Sequence, residues 1–389
     1  MAKRPHKEMQ LTYTDQDTTF THRGGVRWRG NISLTFPKKN YDIEFWADDV
    51  GQQSADVRFP GMRNDDDWIL DALYNEPLRM RSVMANGLWK DLQDLPRASD
   101  TTSGAPKDST VQPTTIAMKY VQVYLNDELQ GVYALHEQVD RKQLKLKKHK
   151  GDTIRGQLFK AAAYNGGPGF FPKANPPENL PAAKNILPHW SGWEAEYPEI
   201  NYAYHWDDLT ALTELVVNSD NTTFASQIEE TLDLDNAIDY YLLINLLRAT
   251  DNRGKNYYLA RKDADTKWFF VPWDLDGVLG TIIDGRRIPT TDDIMSNRLF
   301  DRLIALNPGN FNQRVSDRWM RFRESVITDQ VLQDKIQSTY DQFVADGIYA
   351  AEAEKWPGFD NHADHLDYLQ DWLQRRLQFL DHHFTEFRN

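Results

Sequence analysis

The block of residues from 236 to 280 constrains the fold of this chain more than any other. It starts with a strongly apolar helical stretch, NAIDYYLLINLLRA, at 236–249, and a polar loop follows. Two strand-like pieces come next, at 256–261 and 267–271, joined by turn-forming residues. A buried helix, a loop and a hairpin are therefore predicted in this order.

The mouth of this hairpin is predicted to bring oxygen-bearing side chains together. A hairpin returns the chain to the end at which it began, and paired strand residues lie about 5 Å apart. Asp251 and Asn256 flank the start of the first strand, and Asp274 follows the end of the second. Asp276 comes two residues later in an extended segment and is expected to face the same side as Asp274. Such oxygens can hold Mg²⁺ and position a hydroxyl group.

The segment WFFVPWDLDGVLG, at 268–280, has more than one chemical interpretation. Asp-x-Asp after a buried strand opens the active site of haloacid-dehalogenase-type phosphatases. Those domains continue with several βα units, whereas the residues after Asp274 are predicted to form a loop and then helices. A calcium-stabilised turn at Asp274 and Asp276 is a further alternative, although the glycine is misplaced for a standard calcium loop.

The spacing of the polar residues is similar to that of a kinase catalytic loop. Protein kinases use Asp-x-x-x-x-Asn, then a strand pair, then a metal-binding Asp. Asp251 and Asn256 stand five positions apart, and Asp274 follows the strand pair. In this interpretation Asp251 orients or deprotonates the acceptor, while Asn256 and Asp274 hold the metal against nucleotide phosphates.

The earlier part of the chain has the patterns of strands. Residues 22–46 enter through glycines and then alternate with a period of two, which predicts Lys39 on the apolar side and Lys38 on the other. Residues 120–140 predict a second hairpin, with its turn at 126–127.

Helical patterns are predicted at about 77–92, at 236–249 and from about residue 300 onward. Asp233 and Asp235 are the capping candidates for the second of these helices. A polar segment and a Gly- and Pro-rich tract are expected to be a loop and a surface excursion, respectively: 98–115 and 166–188.

These elements predict an α+β protein of two lobes. The first part, 1–150, is expected to be β-rich and to bind nucleotide. The second part, 151–389, is expected to be mainly helical and to carry the catalytic loop and the metal site.

Composition limits the class of protein and its partners. Hydrophobic residues at 40% and charged residues at 26% are usual for a soluble globular protein. The formal net charge of −13 argues against a nucleic-acid partner, and no apolar run approaches the roughly 18 residues that span a bilayer. The absence of cysteine excludes a thiolate zinc site and a cysteine nucleophile. The first ten residues lack the apolar core of a signal peptide, so a secreted or surface location is expected over a cytoplasmic one only if a leader has been removed.

Several blocks of the sequence, in order, resemble the spore-coat protein H (CotH) kinase family. The most specific is Asn256-Tyr257 followed by Pro-Trp-Asp-x-Asp-Gly at 272–277. Further matches lie upstream, at Arg29-Gly30-Asn31, Pro37-Lys38-Lys39 with Tyr41, Asp67-Trp68, Arg81, and the second hairpin with Glu137.

This resemblance implies an atypical protein-kinase-like fold, ATP, a divalent metal and phosphoryl transfer to protein hydroxyls. Mg²⁺ is the expected metal, with Mn²⁺ and Ca²⁺ as alternatives. Asp251 would be the catalytic residue, with metal ligands at Asn256, Asp274 and Asp276. The candidates for nucleotide contact are Lys39, Glu137 and Lys160, of which the two lysines are rivals for the phosphates. The usual kinase Lys–Glu pair is not evident, because the helix at 77–92 carries no glutamate.

Two other outcomes remain open. The same fold could transfer an adenylyl group or activate a carboxylate, or it could persist in a surface adhesin or coat component without turnover. The expected partner is a protein substrate, with coat and secreted proteins as candidates.

Overall fold

The computed structural model describes residues 5–97, 114–151, 153–164, 167–170, 189–190, 192–198, 206–359 and 362–387. The predicted loop at 98–115 and the tract at 166–188 lie largely outside these described residues. Contacts divide the chain into two compact units, each built from separate stretches of sequence. The first contains Met1–Gly87, Ile116–Val139 and Ile336–Leu366, and the second contains Leu88–Thr115, Asp140–Lys335 and Asp367–Asn389.

These units differ from the predicted division after residue 150 in where three segments group. Leu88–Thr115 and residues 140–150 group with the second unit, and residues 336–366, from the end of the chain, group with the first. The functions predicted for 1–150 and 151–389 stay predictions.

Strands of the first unit form an antiparallel sheet and a short ribbon. The sheet strands are β1 (Lys7–Thr14), β2 (Thr19–Arg29), β3 (Asn40–Phe45), β6 (Asp67–Asp71), β7 (Met118–Leu125) and β8 (Glu128–Glu137), and the ribbon strands are β4 (Val57–Arg58) and β5 (Asn64–Asp65). The order in the sheet is β1-β2-β3-β6-β8-β7. Asn126 and Asp127 have φ of 51° and 65° in the β7–β8 turn, as a two-residue hairpin loop of type I′ requires. The predicted hairpin is therefore confirmed.

A second antiparallel sheet and helices complete the structure. Its strands are β9 (Gln157–Ala161), β10 (His189–Trp190), β11 (Trp193–Tyr197), β12 (Tyr257–Arg261) and β13 (Phe269–Pro272), in the order β10-β11-β9-β12-β13. The helices of the described residues are α1 (Arg81–Asp94), α2 (Asp207–Val217), α3 (Asn221–Thr231), α4 (Leu234–Leu247), α5 (Arg298–Leu306), α6 (Phe311–Arg323), α7 (Asp329–Ala345), α8 (Ile348–Lys355) and α9 (His362–Glu386). Within the part of the chain described, none of them has the length and apolarity that crossing a membrane requires. The mixed α/β character predicted from the sequence is confirmed.

The position of Lys38 corrects the predicted alternation. Lys38 is 1% exposed, whereas Lys39 is only partly buried. β3 begins at Asn40, and the chain bends at 36–38, so the period of two in the strand does not extend back to the lysines.

A buried ionic network in the first unit surrounds this lysine. Glu352 of α8 accepts from Lys38 Nζ at 2.6 Å and from the backbone N–H of Val132 at 2.8 Å. Its second oxygen accepts from Arg79 Nε at 3.0 Å. Burial lowers the pKa of Lys38 to about 7, and the charge of Glu352 opposes this shift. Glycine is required at 131, because a Cβ there would lie 2.0 Å from Glu352 Oε1. This network fixes the C-terminal segment 336–366 to the N-terminal strands.

In the second unit, α4 forms the centre of the core. All its residues except Asp235 are buried, and the ring of Tyr240 stacks on Phe270 at 4.6 Å. Asp233 caps the helix by accepting from the N–H of Asn236 at 3.0 Å. The predicted helix is confirmed, with both boundaries two residues earlier in the chain. Of the two capping candidates, Asp233 is the N-cap residue.

The same helix holds the edge strand β13. The side chain of Asn236 donates to Phe270 O at 3.1 Å and accepts from Phe270 N at 2.6 Å. At the other end of the helix, Leu247 O accepts from Leu279 N at 2.8 Å. The segment from 270 to 279, which contains both acids of the motif, is therefore anchored to α4 at both ends.

This arrangement excludes the phosphatase interpretation. β13 is an antiparallel edge strand, whereas the phosphatase motif follows a strand of a parallel sheet. Among the described residues after Pro272, the structure contains helices and one isolated β-bridge, Thr281–Arg287, with no further strand.

We predict that Glu352→Gln lowers the free energy of unfolding by about 3–5 kcal/mol, because it leaves Lys38 and Arg79 buried without a counter-charge. Urea unfolding measures the change. Lys355→Gln on the same helix is the control, since it removes an ion pair with the exposed Glu128 and a contact with the Trp356 ring at 5.7 Å, and should cost about 1 kcal/mol or less. Equal effects of the two substitutions would contradict the role given to Glu352.

Candidate active site

The loop between α4 and β12 presents Asp251 at the surface. Residues Asp251–Arg253 form a single 3₁₀ turn, in which Asp251 O accepts from the N–H of Gly254 at 3.0 Å and of Lys255 at 2.8 Å. The turn brings the Lys255 ammonium 2.8 Å from Asp251 Oδ2. The Asp251 side chain is 38% exposed, so its carboxylate is accessible from solvent.

Asn252 holds this loop to the hairpin from inside. It is 2% exposed, and its Nδ2 donates to Asn256 O at 2.6 Å and to Trp273 O at 2.9 Å. Its own carbonyl accepts from the hydroxyl of Tyr240 in α4 at 2.5 Å. One residue thus joins the loop, the start of β12, the end of β13 and the core helix.

Asn256 and Asp274 lie next to each other at the hairpin mouth. Trp273 N donates to Asn256 O at 3.1 Å, and Asp274 is the next residue. Asn256 also donates its N–H to Ala161 O at 2.9 Å, which attaches β9 to the same point. Both Asn256 and Asp274 have a left-handed backbone, with φ of 58° and 55°, a conformation in which Asn and Asp are enriched. The hairpin and the closeness of these two residues agree with the sequence prediction.

The prediction for Asp276 assumed that the segment from Asp274 to Asp276 is extended. The structure shows that this segment is not extended throughout. The positive φ of Asp274 turns the chain there, yet burial still alternates: Asp274 is exposed, Leu275 is buried and Asp276 is partly buried. Gly277 allows the chain to pass closely over the next loop, because a Cβ there would lie 2.8 Å from Ile283 N. A metal-binding role for Asp276 stays a prediction.

Lys160 lies close to the same mouth. On β9 it is the partner of Tyr258, which is two residues, or about 7 Å, along the strand from Asn256. The ring of Tyr258 in turn contacts that of Trp273 at 5.7 Å. Within the described part of the chain, the Lys160 ammonium has no hydrogen-bond or ion-pair partner.

The side chains of Lys39 and Glu137 stabilise local structure in the first unit. Lys39 Nζ donates to Leu34 O at 2.8 Å and to Phe36 O, and so stabilises the turn before β3. Glu137 is buried, and its two carboxylate oxygens accept from the N–H of Arg63 at 2.9 Å and of Ala117 at 3.0 Å. Nucleotide contact by Lys39, Glu137 or Lys160 stays a prediction.

Sequence reasoning missed Asn252, Lys255 and Tyr164. Lys255 had a usable signal, since it stands four positions from Asp251 in a short loop. Asn252 had none, because a buried amide looks the same in sequence as any polar loop residue. Tyr164 packs against Gly254, where a Cβ would lie 2.9 Å from its ring, and the Arg253 guanidinium lies 5.6 Å from the ring centre. Burial raises the pKa of Tyr164, and Arg253 opposes that rise.

The donors at the hairpin mouth fit a hard divalent cation. Carboxylate and amide oxygens are available from Asp274, Asp276 and Asn256, and these are the ligand types that Mg²⁺ and Ca²⁺ take. The side-chain amide of Asn256 makes no hydrogen bond within the described residues, so it can turn to a ligand.

The sequence matches the family described as CotH kinase protein over residues 26–380. This chain belongs to the CotH kinase family. The match spans every candidate residue named above, and it confirms the family predicted from the ordered blocks. The inner spore coat protein H of Bacillus subtilis (strain 168) is 21% identical over 366 residues, which cover 92% of this chain and 87% of that protein.

We predict that Asp274→Ala is less stable than Asp274→Asn by about 1 kcal/mol. A left-handed backbone costs most residues about 1–2 kcal/mol, whereas Asn adopts it readily. Both substitutions remove the negative charge, so urea unfolding separates the backbone effect from the charge effect. Asp274→Gly serves as the conformational control, and equal stability of the Ala and Asn variants would contradict the prediction.

Proposed function

We propose that this CotH family member is an ATP- and Mg²⁺-dependent phosphotransferase that acts on protein hydroxyl groups, with an atypical kinase-like two-lobed fold. Membership of the family suggests a kinase-like function. The observation that carries the proposal is the backbone connection of Asp251, Asn256 and Asp274 through Asn252 at one hairpin mouth. Their order and spacing are those of a kinase catalytic loop followed by its metal-binding Asp.

Three residues would hold the metal: Asn256, Asp274 and Asp276. Bound Mg²⁺ would supply positive charge against the phosphate oxygens, as it does in kinases generally. Lys160, whose ammonium has no partner among the described residues, would donate to a phosphate oxygen from the neighbouring strand. The site would thus combine hard oxygen ligands with one mobile cation.

Asp251 would receive the acceptor hydroxyl. In the transfer, the hydroxyl oxygen bonds to the γ-phosphorus, and the bond from this phosphorus to the β–γ bridging oxygen breaks, releasing ADP. The hydroxyl proton passes to the Asp251 carboxylate. Lys255, 2.8 Å from this carboxylate, orients it toward the acceptor.

A non-catalytic role in a spore coat is the second candidate function. It is favoured by the name of the Bacillus subtilis relative, an inner spore coat protein. In that case the chain would associate with coat proteins and bind nucleotide without turnover. Under the catalytic proposal, a coat or surface protein would instead be the substrate.

We predict that Asp251→Asn lowers the rate of phosphate transfer by about 10²–10⁴-fold, with little change in the affinity for Mg²⁺-ATP. The substitution is nearly isosteric and removes the group that accepts the proton. Transfer is measured with ATP labelled at the γ-phosphate, onto the protein itself or a generic acceptor. An ATP-binding titration runs beside it.

The results of this assay separate the candidate functions. Equal transfer by the wild type and the variant would exclude Asp251 as the base. Tight Mg²⁺-ATP binding with no transfer by either would favour the coat component. Label that is incorporated only from the α-phosphate would indicate adenylyl transfer.

We predict that Lys160→Met weakens ATP binding by about tenfold or more, whereas Lys39→Met changes it by less than about twofold. The ammonium of Lys39 is already bound by two carbonyls, and that of Lys160 is available. A charge-assisted hydrogen bond to phosphate is worth about 1.5–3 kcal/mol, which corresponds to this change. The opposite ranking in the titration would assign the phosphates to Lys39.

A further inference from the structure

We infer that Asn252 is a positioning residue that sets the metal-binding geometry of Asn256 and Asp274. This inference rests on the proposed function, because it concerns the same site. Asn252 is not itself one of the proposed metal ligands. It acts through the backbone that carries the residues which do.

The side chain of Asn252 binds two backbone oxygens. One is the carbonyl of Asn256 itself, at 2.6 Å, and the other is the carbonyl of Trp273, the residue before Asp274, at 2.9 Å. A single planar amide donates both bonds, so the distance between the two carbonyls is fixed by its geometry. One side chain therefore restrains the backbone next to both candidate ligands.

The backbone conformation makes this restraint directional. Asn256 and Asp274 both have positive φ, at 58° and 55°, and each is flanked by a peptide that Asn252 restrains. The direction of a Cα–Cβ bond follows from the backbone at its residue. Loss of the two hydrogen bonds from Asn252 would release both peptides and let the side chains of Asn256 and Asp274 turn away from a shared ligand.

Burial makes the restraint effective. Asn252 is 2% exposed, and its own carbonyl accepts from Tyr240 OH at 2.5 Å. Water does not compete for these bonds in the closed interior, and removal of a buried partner typically costs more than the bond itself. Residues that orient metal ligands in this way typically contribute 10–100-fold to metal affinity or activity.

The chain offers a matched control in Asn245. It is also a fully buried asparagine whose Nδ2 donates to two carbonyls, those of Tyr241 at 2.9 Å and Met295 at 3.0 Å. It lies within α4 and is not bonded to Asn256, Trp273 or Asp274. Asn245→Ala therefore reproduces the loss of a buried clamp without touching the candidate ligands.

The experiment compares the wild type, Asn252→Ala and Asn245→Ala in ATP binding at increasing Mg²⁺. Titrations are run at a temperature at which circular dichroism shows each protein to be folded. We expect the Mg²⁺ concentration for half-maximal ATP binding to rise about 10–100-fold in Asn252→Ala. In Asn245→Ala it should stay within about twofold of the wild type, even where the loss of stability is as large.

Two milder variants keep the test usable if Asn252→Ala does not fold. Asn252→Ser can reach at most one of the two carbonyls, and Tyr240→Phe removes only the bond that anchors Asn252. Each should raise the Mg²⁺ requirement by a smaller factor than the Ala variant is expected to. An unchanged requirement in every Asn252 and Tyr240 variant that folds would overturn the inference, as would an equal rise in Asn245→Ala.

The outcomes also distinguish this inference from the proposed function. A wild type that binds no ATP at any Mg²⁺ concentration would contradict both the proposed function and the positioning role of Asn252. A wild type that binds ATP in a Mg²⁺-dependent way, together with an unchanged requirement in Asn252→Ala, would remove only the positioning role. The titration needs no phosphate transfer, so the conclusion does not depend on finding the acceptor.

Discussion

The candidate site depends on how one buried helix holds one edge strand. An edge strand leaves a row of N–H and C=O groups without a partner, and the side chain of Asn236 in α4 binds both groups of Phe270 in β13. The end of the same helix binds Leu279 through Leu247 O at 2.8 Å. Because the chain between these anchors is short, Asp274 is confined to one place beside the loop that follows the helix.

In the first unit, a buried Lys–Glu ion pair stabilises the fold, whereas the Lys–Glu pair of ordinary kinases takes part in nucleotide binding. The ordinary kinase pairs a strand lysine with a helix glutamate, and the lysine contacts phosphates. Here Lys38, in the bend before β3, pairs with Glu352 of helix α8, but both side chains are 0% exposed, and Lys38 also donates to Val132 O at 2.6 Å. The pair therefore joins a C-terminal helix to the sheet. Under the proposed function, the phosphates would need another cation, and Lys160 in the second unit would supply it.

The features that local sequence patterns determine were predictable, and those that depend on distant packing were not. The helix at 236–249 and both hairpins were found because each is specified by its own period and turn residues. The first helix starts at Arg81 and not near 77, because Arg79 has φ of 58° and interrupts the helical backbone. Glu352 was out of reach, since it lies 314 residues from its partner Lys38 and no pattern connects them. The clamp by Asn252 was also missed, because it depends on which loop amide becomes buried.

The closeness of Asn256 and Asp274 could be predicted from the sequence, whereas their metal-binding role stays a prediction; two physical requirements fall on the same residue types. The chain must turn sharply as it enters β12 and as it leaves β13, and a left-handed backbone provides each turn at Asn256 and Asp274. Apart from glycine, Asn and Asp tolerate that conformation best, and they also supply oxygen ligands for a hard cation. Alanine at either position would therefore disturb the backbone and remove a candidate metal ligand at the same time. Asp251 does not have to meet both requirements, because it lies in a 3₁₀ turn with an ordinary backbone. Its substitution therefore tests the proposed catalytic role without disturbing a left-handed backbone.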